Sequence, residues 1–462
     1  MNRKLSFKAS AENFAKIPGS PIAYWVGEKM GALFSLHQSV DAVISLREGM
    51  HTGKNEIFLR IWFEVSVNKL VLGARSFEDV EKKGKWVPYN KGGGYRKWYG
   101  NNLVVVRADK SSLDEMAALK GHVRPSQSLY FKEGATWSAI SDNKFGLRYY
   151  PHGFLFDSKG QVAVGEKMMD VLTLFNTSLY QFLANVIMPT LDYKCGDVKK
   201  LPYLSVPEAA IKRTTELIAI SRSDWDEYET SWDFKVNPLV REGWQKNAGG
   251  MSFEVAWAAV FARRMEWAAR MKELEEENNR LFIEAYGLED ELKPDVAWKD
   301  VSITGNPFYR YKVDAVEDAA DTGCPPYQRV PPELEARARA DAVRELISYG
   351  IGCLMGRYSL EQEGLILASQ GETYQDHFAR VHGADKLRPD DDGIIPVVAG
   401  ETAFTDNAPH RVVDFVKAAF AAVDSRSSPW SPCRRPSCAY RRAPGTRLSS
   451  SGTAIRDRLS DG

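Results

Sequence analysis

The sequence predicts an α+β fold: a mixed strand-and-helix domain over residues 1–205, helical domains over 206–320 and 321–423, and a disordered basic tail over 424–462. Three observations carry that expectation. Short apolar or alternating runs punctuated by glycine fill the first two hundred residues, apolar spacing turns helical after Pro207, and the closing segment holds almost nothing to bury. At 462 residues the chain has room for about three domains of roughly 150 each.

Residues 65–72 and 103–106 read as strands, and 147–156 carries aromatics broken by a turn. Over 172–187 the spacing is helical, with Leu172, Phe175, Leu179, Phe182, Leu183 and Val186 on one face. A longer helix is expected over 254–286, its apolar seam running through Phe261, Met265, Ala268, Leu274, Leu281, Phe282 and Ala285 until Gly287 and Pro294 stop it. Such a helix is roughly 50 Å long at ~1.5 Å per residue. Its polar stretch from Glu273 to Glu277 is expected to be solvated on a scaffold helix, with a docking arm as the alternative. Pro332 is placed to open another helix toward Leu346 and Leu354, and 412–422 is helical again. The tail, dominated by Ser, Arg and Pro, changes composition abruptly. That reads as an out-of-frame extension rather than a basic DNA-binding arm, with Cys433 and Cys438 needing no metal.

Sixty-one Lys and Arg balance 61 Asp and Glu, so no net charge draws the whole chain onto nucleic acid or an acidic membrane. Any electrostatic footprint is local. Five scattered cysteines do not form a disulfide framework, the first residues are too polar for a secretory leader, and Asn176, Thr177, Gln181 and Asn185 interrupt the most apolar window. A cytoplasmic protein with no membrane partner is expected.

Positive charge is concentrated between Lys82 and Arg107, where Lys82, Lys83, Lys85, Lys91, Arg96, Lys97 and Arg107 stand without one acidic residue. Trp86, Tyr89, Tyr95, Trp98 and Tyr99 are interleaved, and Gly92-Gly93-Gly94 permits close backbone approach. Cations bind phosphates with counterion release, so the pattern suits double-stranded DNA; a solvated basic hairpin with inward-packed aromatics explains it equally well. Upstream, Thr52, Asn55 and Arg60 in the run from Gly49 offer directed contacts, although a polar turn leading into a strand explains them too.

Enzymatic machinery is not evident. There is no phosphate loop, nucleophile elbow or His-Glu-x-x-His, so no catalytic, cofactor-binding or metal residue is assigned. His377 and His382 lack partners at ligand spacing. Asn306-Pro307-Phe308-Tyr309 and Cys324-Pro325-Pro326-Tyr327 each approach, and each miss, the Asn-Pro-Pro-aromatic loop that holds a flipped adenine.

Several ordered runs add a resemblance. Pro18-Gly19-Ser20-Pro21-Ile22-Ala23-Tyr24-Trp25, Thr52 to Arg60, Lys85-Trp86-Val87-Pro88-Tyr89-Asn90-Lys91-Gly92-Gly93, and Arg96-Lys97-Trp98-Tyr99-Gly100-Asn101 are similar to the PglX-type adenine-specific DNA methyltransferases of BREX phage-exclusion systems. So are Phe131 to Ser138, Arg148-Tyr149-Tyr150-Pro151, Pro189 to Tyr193, Trp225 to Phe234, and Ile347 to Leu360. The resemblance is to the later, target-recognition and helical portion of that longer family, and it implies a target-recognition-like first domain. S-adenosylmethionine and the catalytic residues are then expected in an upstream methyltransferase domain, this chain being a fragment of a restriction-modification type system. On that reading Lys85, Lys91, Arg96 and Lys97 contact DNA phosphates, while Thr52, Asn55, Arg60, Trp98 and Asn101 make directed contacts. The competing expectations are a protein-interaction scaffold that docks other BREX subunits, and a decayed gene product.

Overall fold

The computed structural model describes residues 16–141, 144–190, 192–245, 252–315, 330–381, 386–397 and 406–420. The expected tail, Cys324 to Tyr327, and His382 lie outside them. Eight strands occur among the described residues: β1 (Ser45–Arg47), β2 (Leu59–Ile61), β3 (Trp86–Asn90), β4 (Val104–Arg107), β5 (Gly134–Ser138), β6 (Leu147–Tyr150), β7 (Leu155–Phe156) and β8 (Gly160–Val164). The helices are α1 (Glu28–Leu36), α2 (Asn55–Phe58), α3 (Phe77–Lys83), α4 (Lys110–Ala117), α5 (Met168–Phe175), α6 (Ser178–Ile187), α7 (Cys195–Val198), α8 (Glu208–Trp225), α9 (Pro238–Gln245), α10 (Phe253–Ala285), α11 (Pro307–Tyr311), α12 (Pro332–Leu354), α13 (Tyr374–Arg380) and α14 (Ala408–Ala419). The fold is α+β, as the sequence predicts.

The strands form two four-stranded sheets, ordered β1-β8-β5-β6 and β2-β4-β3-β7. The first is antiparallel throughout, and the second is antiparallel except where β3 runs parallel to β7. In β8 the strand period of two is plain: Val162 and Val164 enter one core with Val87, Tyr89 and Val106 of the second sheet, while Ala163 enters another with Trp137 and Leu147. The first sheet is therefore buried on both faces, by the second sheet on one side and by helices on the other. The corner between the sheets is tight enough to require glycine at 160, where a Cβ would lie 2.1 Å from the Asn90 carbonyl oxygen. On the helical side one apolar core runs from Met30 and Leu33 through Trp137, Leu183, Phe261 and Tyr349 to Phe415 and Phe420.

Three local expectations are corrected. Residues 65–72 are not a strand; short 3-10 turns at Trp62–Glu64 and Val67–Lys69 replace it, because Ser66 and Asn68 favour turns, and pairing is limited to an isolated bridge of Leu70 with Trp86, where the Val71 N–H donates to Trp86 O at 2.8 Å. The helix expected over 172–187 is two helices. Asn176 breaks it by bonding both backbone groups of Leu147, at 2.9 and 3.0 Å, and Thr177 caps α6 by accepting from the Tyr180 N–H. The long helix stands as expected in α10, but its polar stretch is not all solvated: Glu275 is buried within it, as are Asn278 and Asn279 just beyond it. No helix among the described residues is long and apolar enough to cross a membrane.

Candidate nucleic-acid interface

The basic window is divided by the way the chain leaves β3. Residues 91–103 cross the free edge of the first sheet, where the Trp98 N–H donates to Leu147 O at 2.8 Å and the Tyr149 N–H to Trp98 O at 2.7 Å. Trp98 and Asn101 adopt left-handed backbone, with φ of 68° and 62°, and with Gly100 they turn this segment down onto α8 and α10. What looked in sequence like a run of surface cations is half interior.

Arg96 is 5% exposed. Its Nη2 donates to Thr304 Oγ1 at 2.6 Å, its Nη1 lies 3.5 Å from Asp224 Oδ2, and the guanidinium sits near the rings of Trp225 and Tyr309. Asp224 accepts further bonds from the N–H groups of Thr304 and Gly305, yet burial outweighs these and Arg96 and raises its carboxyl above the usual range. Lys97 Nζ meets Glu275 Oε2 at 2.7 Å, and Trp98 Nε1 donates to the other oxygen of that carboxylate, also at 2.7 Å. Arg96 and Lys97, expected to contact phosphates, and Trp98, expected to make a directed contact, are turned inward in this fold. Each side chain is buried against a carboxylate.

The other expected residues fare differently. Thr52 is buried and donates to Asn55 Oδ1 at 2.8 Å, so it shapes the turn ahead of α2 rather than facing a ligand. Asn55 and Arg60 are exposed, and Arg60 Nη1 donates to the carbonyls of Glu56 and Leu59. Lys91 is half-buried, its Nζ 2.5 Å from Asp157 Oδ2, and the same carboxylate accepts from Tyr89. Asn101 donates to Gly94 O at 2.9 Å. Lys85 is half-buried at the start of β3, its N–H bonded to Lys69 O, which places exposed Lys69, Lys82 and Lys83 around one corner of the second sheet.

The buried charges extend beyond the window. Glu227 accepts from Arg241, Arg263 and Arg264 at 2.6, 2.7 and 3.0 Å; burial pushes its carboxyl up, but the three guanidiniums win and hold it below the usual glutamate range. Sequence reasoning missed this knot, although Arg264 stands three residues after Phe261 on the apolar seam of α10. Arg148 was also missed as a site residue; it is 3% exposed on β6.

The fragments that approached a flipped-adenine loop do not form one among the described residues. Asn306 is fully buried, its amide donates to Trp298 O and Val301 O, and its Oδ1 accepts from the Phe308 N–H at the start of α11. Nothing of it is left to hold a base. At the glycine turn a Cβ on Gly92 would lie 3.1 Å from Lys159 O and one on Gly93 2.9 Å from Asn101 Nδ2, while Gly94 has open space. His377 is buried with Nδ1 3.0 Å from Gly356 O, a structural position.

Comparison with known proteins carries the chain further than its geometry. It is 33% identical over 428 residues, 90% of its length, to the adenine-specific methyltransferase BrxX of Escherichia coli O9:H4 (strain HS). The chain is homologous to part of that protein. It is likewise 34% identical over 378 residues to the adenine-specific methyltransferase PglX of Lacticaseibacillus casei (strain Zhang), so the resemblance read from the sequence holds. The matches cover 32% of BrxX and 29% of PglX, and the chain thus spans about a third of the curated relatives it matches. No family model matches it.

Proposed function

We propose that the chain binds double-stranded DNA and positions a target for adenine N6 methylation in a BREX-type phage-defence system, acting with a methyltransferase domain that binds S-adenosylmethionine and transfers the methyl group. The observation that carries this reading is the similarity along 90% of the chain to a protein named as an adenine-specific methyltransferase. One further observation fits a recognition role. Asn306 is internally satisfied, its amide held by Trp298 O and Val301 O and its Oδ1 by the Phe308 N–H.

With Arg96, Lys97, Trp98 and Thr52 turned inward, the DNA-facing set becomes Lys85 with Lys69, Lys82 and Lys83 for phosphates, joined by Lys91, Asn55, Arg60 and Asn101. Each phosphate contact that a lysine makes contributes about 0.9 to the slope of log K against log salt. Replacing Lys82, Lys83 and Lys85 by Glu is expected to weaken binding of a short duplex and to flatten that slope, measured by fluorescence anisotropy over a salt series. Unchanged affinity and slope in a folded variant remove this corner from the interface, and a wild-type chain that binds no duplex ends the reading.

A further inference from the structure

A narrow crevice, partly open to solvent, lies beside the glycine turn, lined by Tyr95, Arg96, Ser138, Ser141, Lys144 and Arg148. It has three cations in its wall. Arg96 is matched by Asp224 and Lys144 by Asp300, but among the described residues Arg148 has no carboxylate partner and its buried Nε has no hydrogen bond. Arg96 Nη1 and Ser141 Oγ are likewise buried without a hydrogen-bond acceptor or donor. Burial and the neighbouring Arg96 push the Arg148 guanidinium down to about 10, which leaves it charged at neutral pH.

A buried guanidinium with no carboxylate partner among the described residues is a costly feature, and replacing such a charge by an apolar group is often stabilising. A guanidinium fork that keeps unsatisfied donors beside a second guanidinium and a free hydroxyl has the donor set of an oxyanion site. We propose that Arg148, Arg96 and Ser141 bind one phosphate group, with Lys144 at the mouth. Its side chain is 35% exposed and paired with Asp300, so it has to move aside when the ligand enters. Ser138 ties the crevice to the glycine turn by donating to Gly93 O at 2.8 Å, and Gly93 and Gly94 are exposed. A DNA backbone passing over that turn brings a phosphate to the mouth. In that form the site deepens the DNA-binding reading, whereas free phosphate fills it independently of that reading.

The test uses the full chain and compares thermal unfolding in sodium phosphate with sodium chloride and sodium acetate at equal ionic strength and pH. Phosphate is expected to raise the wild-type melting temperature by a few degrees when well above its dissociation constant, with acetate acting no better than chloride. Arg148→Met is expected to lose that response while melting at or above the wild-type temperature in chloride. Ser141→Ala removes a hydroxyl but no charge, and is expected to weaken the response severalfold, which keeps the test open if the Met variant does not fold. A wild-type chain indifferent to phosphate, an equal effect of acetate, or a full response in both variants overturns the site. Duplex binding then identifies the source. A salt slope about one unit shallower in Arg148→Met assigns the phosphate to DNA. An unchanged slope with a lost phosphate response assigns it to free phosphate. A wild-type chain that responds to phosphate but binds no duplex retires the DNA reading and leaves the site standing.

Discussion

Glu275 decides the placement of two residues nearly two hundred positions away, holding Lys97 with one oxygen and Trp98 with the other. Removing it strands a buried ammonium, so Glu275→Ala is expected to cost about 3–5 kcal/mol in urea denaturation, and Glu275→Gln, which can still accept from Trp98, less. Glu227 makes the matching prediction for pH. Its folded carboxyl lies below its unfolded value, so its contribution is present above the ordinary glutamate pKa of about 4.3 and is lost as pH falls through the lower folded value. Asp224 runs the other way, its raised carboxyl giving stability at low pH that is lost as pH rises through the folded value. Denaturation curves between pH 7 and 3 should therefore show a shallower acid loss for Glu227→Gln than for wild type. These partnerships were illegible in the sequence because burial of a cation depends on a carboxylate far along the chain. Local composition marked Arg96 and Lys97 as surface for that reason.

Elements were more legible where periodicity alone decides them. The seam of α10 and the proline at the start of α12 lie where spacing and capping place them, since long amphipathic patterns leave few alternatives. Short segments were not, because single side chains overrule their pattern, as Asn176 does between α5 and α6. In α12 two glycines have a packing reason that propensity opposes. A Cβ on Gly350 would lie 2.6 Å from the ring of Phe415, through which α14 docks. Alanine ordinarily strengthens a helix interior by about 1 kcal/mol over glycine, but overpacking costs about 1–3 kcal/mol. Gly350→Ala is thus expected to lower the melting temperature and loosen α14, seen as faster proteolysis there; a stabilised variant shows that the ring has room to yield.

At the scale of the whole molecule, the fold class and the relationship were both readable, the first from alternating and helical spacing and the second from ordered runs spread along most of the chain. The basic window was only partly so, because the cations of one acid-free stretch serve opposite ends, some facing solvent and others cementing sheet to helices. That division has a mechanical consequence. The strip carrying Lys91 and Gly93 at one end is stitched through Trp98 to the edge of β6 and bolted by Lys97 to α10, so it behaves as a splint with no slack. Amide exchange at Trp98 and Tyr149 should be as slow as in the middle of β5, and a load applied at the solvent end travels directly into α10, the longest helix among the described residues.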